Sequence, residues 1–346
     1  MRAAAVLPRL AELHEIRVLA AGDAYGMLAA DYPIARVPNL RYRYGLDGRL
    51  SGWRTFKHNL SMGLDLLLHG PSVEMTVDVL REHNADIVIS DGEPYSLRAA
   101  GILGIGRISF DNFAQLAYCR LALRGLDRIR CAATALGYRL LMGQAERIII
   151  ASFFDAPARR SGIQLVGPVI RSEVRETTPR RGEHVLVYFS KADEFTSEVE
   201  DALAGLEHPV RVYGTPHHKR NGNVQYFPIA RQRFVEDLAS CRAVIGTTGN
   251  QLLGEVLHFR KPMLGIPIAC MEQRINAEAL VQMGVGMCVR RQRLTAAVIR
   301  EFLKREGEFL RNFPAKLRDG RSEALAAIAE FGSELRPPEA EPALAI

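Results

Sequence analysis

The sequence predicts an α/β protein built from two doubly wound domains. Two observations carry this. Short β-branched runs alternate with helical segments, the pattern of a parallel sheet covered by helices. The series then breaks at the charged stretch RSEVRETTPRRGEH (171–184) and starts again. The length of 346 residues favours two domains over one. An apolar content of 48% suffices for two cores.

The elements follow in order. IRVLAAG (16–22), DIVIS (86–90), RISF (107–110) and RIIIAS (147–152) read as the strands of the first domain, each ending in small or acidic residues. After the break, HVLVYFS (184–190), RVYG (211–214), NVQYF (223–227), AVIGT (243–247), PMLGIP (262–267) and GMCV (286–289) read as strands of the second. SEVEDALAGL, RQRFVEDLAS and NQLLGEVLHF are helices between them. The expected boundaries are 1–168, a linker at 169–183, a second domain at 184–332 and a tail at 333–346, rich in proline and prone to fray. Such an architecture places a ligand at the carboxyl ends of the strands, in a cleft between the domains.

Composition removes several classes. Cys119, Cys131, Cys241, Cys270 and Cys288 are scattered and odd in number, so neither a disulfide framework nor a zinc site is expected. A reducing, cytoplasmic compartment fits this usage. No apolar run reaches the roughly 18 residues that span a bilayer, and MRAAAVLPRLAEL lacks the pattern of a secretion signal. The net charge of +6 favours anionic partners, among them sugar nucleotides, phospholipid surfaces and nucleic acids. No nucleic-acid-binding motif accompanies it, so nucleic acid is not expected.

The chemistry concentrates in GTTGNQLLGEV (246–256), where a strand passes into a helix. The first N–H groups of a helix starting near Asn250 lack internal partners, and the helix dipole adds positive potential, so the turn can bind an anion. Gly249 admits a phosphate to the backbone, Thr247 and Thr248 add hydroxyls, and Glu255, one to two turns on, can accept from ribose hydroxyls. Read by itself, the stretch is equally a helix capped by Thr248 or Asn250. Glu272 and Gln273 sit at the next strand-to-helix turn, where an acid–amide pair matches adjacent sugar hydroxyls. Asn276, a turn further, reads as structural.

With Gly249, Glu255, Lys261-Pro262, Pro267 and Glu272-Gln273 in this order, residues 184–290, and more loosely 86–112, resemble the GT-B glycosyltransferases. The likeness is to glycosyltransferase family 28 and its uncharacterised bacterial and archaeal relatives. The resemblance implies two Rossmann-like domains facing across a cleft and a nucleoside diphosphate sugar, most simply a UDP-sugar, held by the second. It implies that Thr247 touches the diphosphate, Thr248, Gly249, Asn250 and Gln251 surround it, Glu255 holds the ribose, and Glu272 and Gln273 hold the sugar. It places the base near Phe227 to Ile229. Lys191, after the first strand of that half, is a further candidate for the diphosphate, or a solvated loop lysine.

The first half departs from the pattern. The family's opening strand, Gly-rich loop and histidine base have no counterpart, and MRAAAVLPRLAEL resembles the helix that follows that loop. The expectation is a start further upstream. In their absence Asp91 and Glu93, directly after DIVIS, are the candidate catalytic carboxylates for an acceptor hydroxyl. Asp91 reads first as a cap for the helix beginning near Pro94, and beside that as the base candidate. Asp111 and Asn112 are candidates to line the acceptor pocket. The implied reaction is metal-independent transfer of a hexosyl or N-acetylhexosaminyl group, inverting by resemblance, with no cofactor beyond the donor and with cell-envelope or glycoconjugate products. Residues 119–143, with arginines at 120, 124, 128, 130 and 139, read as a core-facing helix with a solvated basic face, or as a peripheral contact with the inner face of a membrane. Trp53 reads as core or as part of the acceptor side. Two other functions stay open: a non-hydrolysing sugar-nucleotide epimerase, and a nucleotide-sugar-binding protein without turnover.

Overall fold

The computed structural model describes residues 2–40, 43, 51–189, 195–216 and 218–336. The chain forms two compact units, one of Met1–Arg41, Phe56–Val166 and Gly320–Ile346, the other of Tyr42–Thr55 and Gly167–Asp319.

The first unit opens with α1 (Arg2–Ala11), β1 (Val18–Ala20), α2 (Gly22–Leu28) and β2 (Ile34–Arg36). β1 and β2 form a parallel pair with Val18 opposite Ile34. α3 (Gly52–Leu67), which belongs to this unit from Phe56 onward, and α4 (Pro71–Glu82) lead to β3 (Ile87–Ser90), α5 (Pro94–Leu103), β4 (Gly106–Asp111), α6 (Ala114–Tyr118), α7 (Gly125–Met142), β5 (Arg147–Ala151) and β6 (Ile163–Val166). These four strands make a separate parallel sheet in the order β3-β4-β5-β6. Both faces of β4 and β5 are covered, so Ile108, Phe110 and Ile148 to Ile150 are all buried, as a sheet with helices on both sides requires. α5 starts sharply because Glu93 accepts from the Ser96 and Tyr95 N–H groups and Pro94 fills the first turn. It stops at Gly104, whose φ of 70° only glycine adopts without strain.

The second unit runs through α8 (Ser172–Glu176), β7 (Val185–Tyr188), α9 (Ser197–Ala204), β8 (Val210–Tyr213), β9 (Lys219–Asn221), β10 (Val224–Phe227), α10 (Arg231–Ser240), β11 (Ala243–Gly246), α11 (Asn250–His258), β12 (Met263–Gly265), α12 (Met271–Gln282), β13 (Gly286–Cys288), α13 (Ala296–Lys304) and α14 (Glu306–Arg311). Its seven strands are ordered β13-β12-β11-β7-β8-β10-β9, with β9 antiparallel to β10 and the others parallel. Val185, Val187, Ile245, Leu264 and Phe302 share one buried core.

Three features differ from the sequence reading. β2, β6 and β9 were not expected, since IAR, IQLV and KRN carry no β-branched run long enough to stand out. The segment read as a linker is partly packed, with Val169, Ile170, Arg171 and Val174 buried. The final helix, α15 (Gly320–Leu335), packs on α1, β4, β5 and β6 and so belongs to the first unit, although the sequence reading ended the second domain at 332.

Candidate active site

The donor-side residues gather at the carboxyl ends of β11 and β12. β11 ends at Gly246, where a Cβ would lie 2.5 Å from the Tyr188 carbonyl oxygen on the neighbouring strand, so glycine lets the two backbones meet. Thr247 and Thr248 are buried, and the Thr248 hydroxyl donates to the Gln273 carbonyl at 2.7 Å. Neither Thr248 nor Asn250 caps α11; the N-cap is Gly249 and carries no side-chain cap bond. Its place is taken from across the loop, where the Glu272 Oε1 accepts from the Asn250 N–H at 3.3 Å. A Cβ on Gly249 would meet only the Gln273 Nε2, at 3.8 Å, so the backbone there is open to approach.

Glu272 and Gln273 lie in the first turn of α12, both largely buried. Asn276 Nδ2 donates to the Glu272 carboxylate at 2.6 Å and to the Thr248 carbonyl at 2.9 Å, which gives Asn276 a structural role. Gln273 Oε1 accepts from the Ile268 N–H at 3.1 Å. The two loops are therefore tied into one unit by the residues read as sugar ligands. Lys261 also braces this half: its Nζ donates to the Cys241 carbonyl at 2.8 Å and to the Arg180 carbonyl, and burial lowers its pKa.

Glu255 is buried on α11 and held at both oxygens by Arg171, whose Nε and Nη2 lie 2.8 and 3.2 Å away. Gln251 Nε2 donates to the same carboxylate at 2.8 Å. Sequence reasoning missed Arg171, which is 84 residues from its partner. The signal was an arginine directly closing the apolar run LVGPVI, a place where a charge needs a partner.

Phe227 is buried beneath the Arg233 guanidinium, 3.9 Å from its ring centroid, and beside Tyr213. Its ring is thus occupied, and the exposed residue of that turn is Ile229. Lys191 lies outside the described residues.

On the acceptor side, Asp91 follows β3 but does not cap α5, a role that falls to Glu93. Asp91 Oδ1 accepts from Arg2 at 2.6 and 2.9 Å, and its Oδ2 from the Ala3 N–H at 3.1 Å. The carboxylate therefore anchors the start of α1. Arg2 Nη1 also donates to Asn112 Oδ1 at 2.7 Å, joining the ends of β3 and β4. Asp111 is turned inward: it accepts from the Ala114 N–H at 2.8 Å, the Ser109 hydroxyl at 2.9 Å and the Tyr138 hydroxyl at 2.7 Å. Its Oδ1 thus holds the first N–H of α6. Burial raises the Glu93 carboxyl pKa, against the opposing pull of the Ser96 and Tyr95 N–H groups. Sequence reasoning missed Arg2 as well.

The face of α7 differs from a core-facing helix. Leu126, Ile129, Leu136 and Leu140 form an exposed stripe, and Arg120, Arg124 and Arg128 are exposed beside it. Trp53, on α3, is 73% exposed and is not core. No helix among the described residues is long and apolar enough to cross a membrane.

Two α/β units of mainly parallel strands and flanking helices have the fold of the GT-B glycosyltransferases. The chain belongs to glycosyl transferase family 1, whose model matches residues 1–306. It is 23% identical over 280 residues to an uncharacterised glycosyltransferase of Methanopyrus kandleri, covering 74% of this chain and 78% of that one. Among solved structures, MurG of Acinetobacter baumannii aligns over 95% of both chains at a TM-score of 0.59 and 14% identity. The glycosyltransferase VinC, solved with dTDP, aligns over 95% of both chains at a TM-score of 0.61 and 13% identity. At such identities the likeness is one of fold.

Proposed function

We propose that the chain transfers a hexosyl or N-acetylhexosaminyl group from a nucleoside diphosphate sugar, most simply a UDP-sugar, to a hydroxyl acceptor, with inversion and without a metal. The observation that carries this reading is the N-terminus of α11. Gly249 leaves the backbone open there, and a diphosphate would take the first-turn N–H groups of α11, the Asn250 N–H among them in place of the Glu272 carboxylate that holds it. A departing diphosphate gains charge, and fixed N–H dipoles stabilise that charge without rearranging. Thr247 and Gln251 complete the diphosphate end, the backbone around Ile229 receives the base, and Lys191 supplies a further cation.

In this reading Glu255 serves the ribose while held in the grip of Arg171. The guanidinium holds the carboxylate in one orientation, so ribose hydroxyls meet a preformed acceptor. Glu272 and Gln273 are the residues assigned to the sugar. On the acceptor side Asp91 acts as base only if the acceptor displaces Arg2 from it, so its role couples to the start of α1. The supporting test is product formation: with UDP-hexose or UDP-N-acetylhexosamine and hydroxyl acceptors, mass spectrometry should find glycosylated acceptor and free UDP. An epimerised nucleotide sugar without acceptor would overturn the reading.

The exposed stripe of α7, flanked by arginines, supports a peripheral contact with an anionic membrane at its inner face, and with it a lipid-borne acceptor in envelope or glycoconjugate synthesis. The enzyme otherwise works in the cytoplasm.

A further inference from the structure

Glu272 stands where two different parts of a donor would meet. It is assigned to the sugar, yet its Oε1 accepts from the Asn250 N–H at the start of α11, one of the groups assigned to the diphosphate. A buried carboxylate of the chain itself therefore already lies in that turn. The N–H groups at a helix start, with the dipole behind them, favour negative charge, and Glu272 supplies it.

The two bonds to Oε1 are unequal. Asn276 Nδ2 donates at 2.6 Å, as short as a charge-assisted hydrogen bond becomes. The Asn250 N–H lies at 3.3 Å, beyond the usual range of about 2.7 to 3.2 Å for such bonds. The surrounding backbone is pinned. The Thr248 hydroxyl donates to the Gln273 carbonyl at 2.7 Å, Asn276 Nδ2 to the Thr248 carbonyl at 2.9 Å, and the Ile268 N–H to Gln273 Oε1 at 3.1 Å. The first turn of α12 cannot retreat without breaking these bonds. What can move is the Glu272 side chain, pivoting on Asn276 and giving up its longer bond.

We propose, on the reading of α11 as the diphosphate site, that Glu272 occupies this position when no donor is bound, and that an arriving donor turns it on Asn276 toward the sugar hydroxyls. The exchange discriminates the donor from the spent nucleotide. An intact nucleoside diphosphate sugar takes the Asn250 N–H and offers the displaced carboxylate new partners in its hydroxyls. A nucleoside diphosphate without its sugar takes the same N–H, offers none, and leaves two negative groups side by side. Glu272 thus holds the sugar of the donor, weakens binding of the nucleotide product and favours its departure.

Calorimetric titration of the full chain, of Glu272→Gln and of Glu272→Ala with UDP and dTDP tests this. Glutamine keeps the shape and an oxygen for Asn276 but not the charge; alanine empties the position, and Glu272→Gln carries the test if the alanine variant does not fold. Whichever nucleotide binds the unchanged chain more tightly should bind both variants at least tenfold more tightly still. A tenfold gain corresponds to a carboxylate that fills the position about nine-tenths of the time. The advantage of UDP-glucose over UDP, or of dTDP-glucose over dTDP, should shrink in the variants. Unchanged affinity for the free nucleotide would make Glu272 a sugar ligand alone, and lower affinity would make it a brace of the turn; either overturns the proposal. If neither nucleotide binds any of the three chains, the diphosphate reading of α11 falls, and the proposal with it.

Discussion

The ribose role proposed for Glu255 depends on the ion pair that already holds it. Both partners are almost fully buried, so removing one leaves the other charged and uncompensated, at a cost of about 3 kcal/mol. Glu255→Leu alone should therefore lower stability by about that amount in urea unfolding. The double variant Glu255→Leu with Arg171→Met should recover most of it, because an apolar pair of similar size can replace a buried ion pair. Nucleotide affinity should stay low in both variants. Recovery of affinity along with stability would show that the pair only holds the fold. A second buried group sets an acid limit. Burial, with Arg211 nearby, holds the His184 imidazole below its ordinary value of 6.5, and its Nε2 lies 2.9 Å from the Asp237 carbonyl. The folded state refuses a proton that the unfolded chain accepts. Its contribution is therefore complete above pH 6.5 and is lost as pH falls below it, by at most about 1.4 kcal/mol per pH unit. In His184→Gln the slope of stability against pH between 6.5 and 5 should be shallower; an unchanged slope would place the titration elsewhere.

At the scale of elements, the strands that read clearly in the sequence are those with covered faces. IVIS, VLVY and AVIG are runs of β-branched and apolar residues, and each forms a strand within a residue or two of where the pattern put it. IAR and KRN carry only three residues, KRN fully exposed, and nothing in their composition distinguishes them from loop. The turn into α11 was legible as a site, but its capping was not, because the cap comes from Glu272 in another element. α7 was ambiguous for a different reason: periodicity shows that a helix has an apolar stripe, not what lies against it. Its stripe is exposed, and the membrane reading makes a direct prediction. Each exposed arginine contributes about 1 kcal/mol near an anionic bilayer, so Arg124→Gln with Arg128→Gln should weaken vesicle co-sedimentation roughly 30-fold. Binding that is independent of anionic lipid, or unchanged in the variant, would return α7 to an ordinary surface helix.

At the scale of the whole molecule, the doubled α/β plan was visible because each strand and its helix are local in sequence. What escaped were pairings across the chain. α15 returns from beyond the second unit to cover β4 to β6, Arg171 reaches Glu255 from the segment read as a linker, and Arg2 binds Asp91. Each joins residues that no local pattern connects. The same asymmetry separates the two sets of candidate residues: those proposed for the donor come from consecutive strand-to-helix turns of one unit, while Asp91 and Glu93, proposed for the acceptor, hold the starts of helices in the other. The proposed nucleotide site lies within the second unit, and calorimetric titration of the full chain with UDP and with dTDP reads its occupancy. Nucleotide should bind at one site per chain, with affinity reduced at least tenfold when Glu255 and Arg171 are replaced together. Absence of binding by either nucleotide, or equal affinity in that variant, would overturn the proposed donor site.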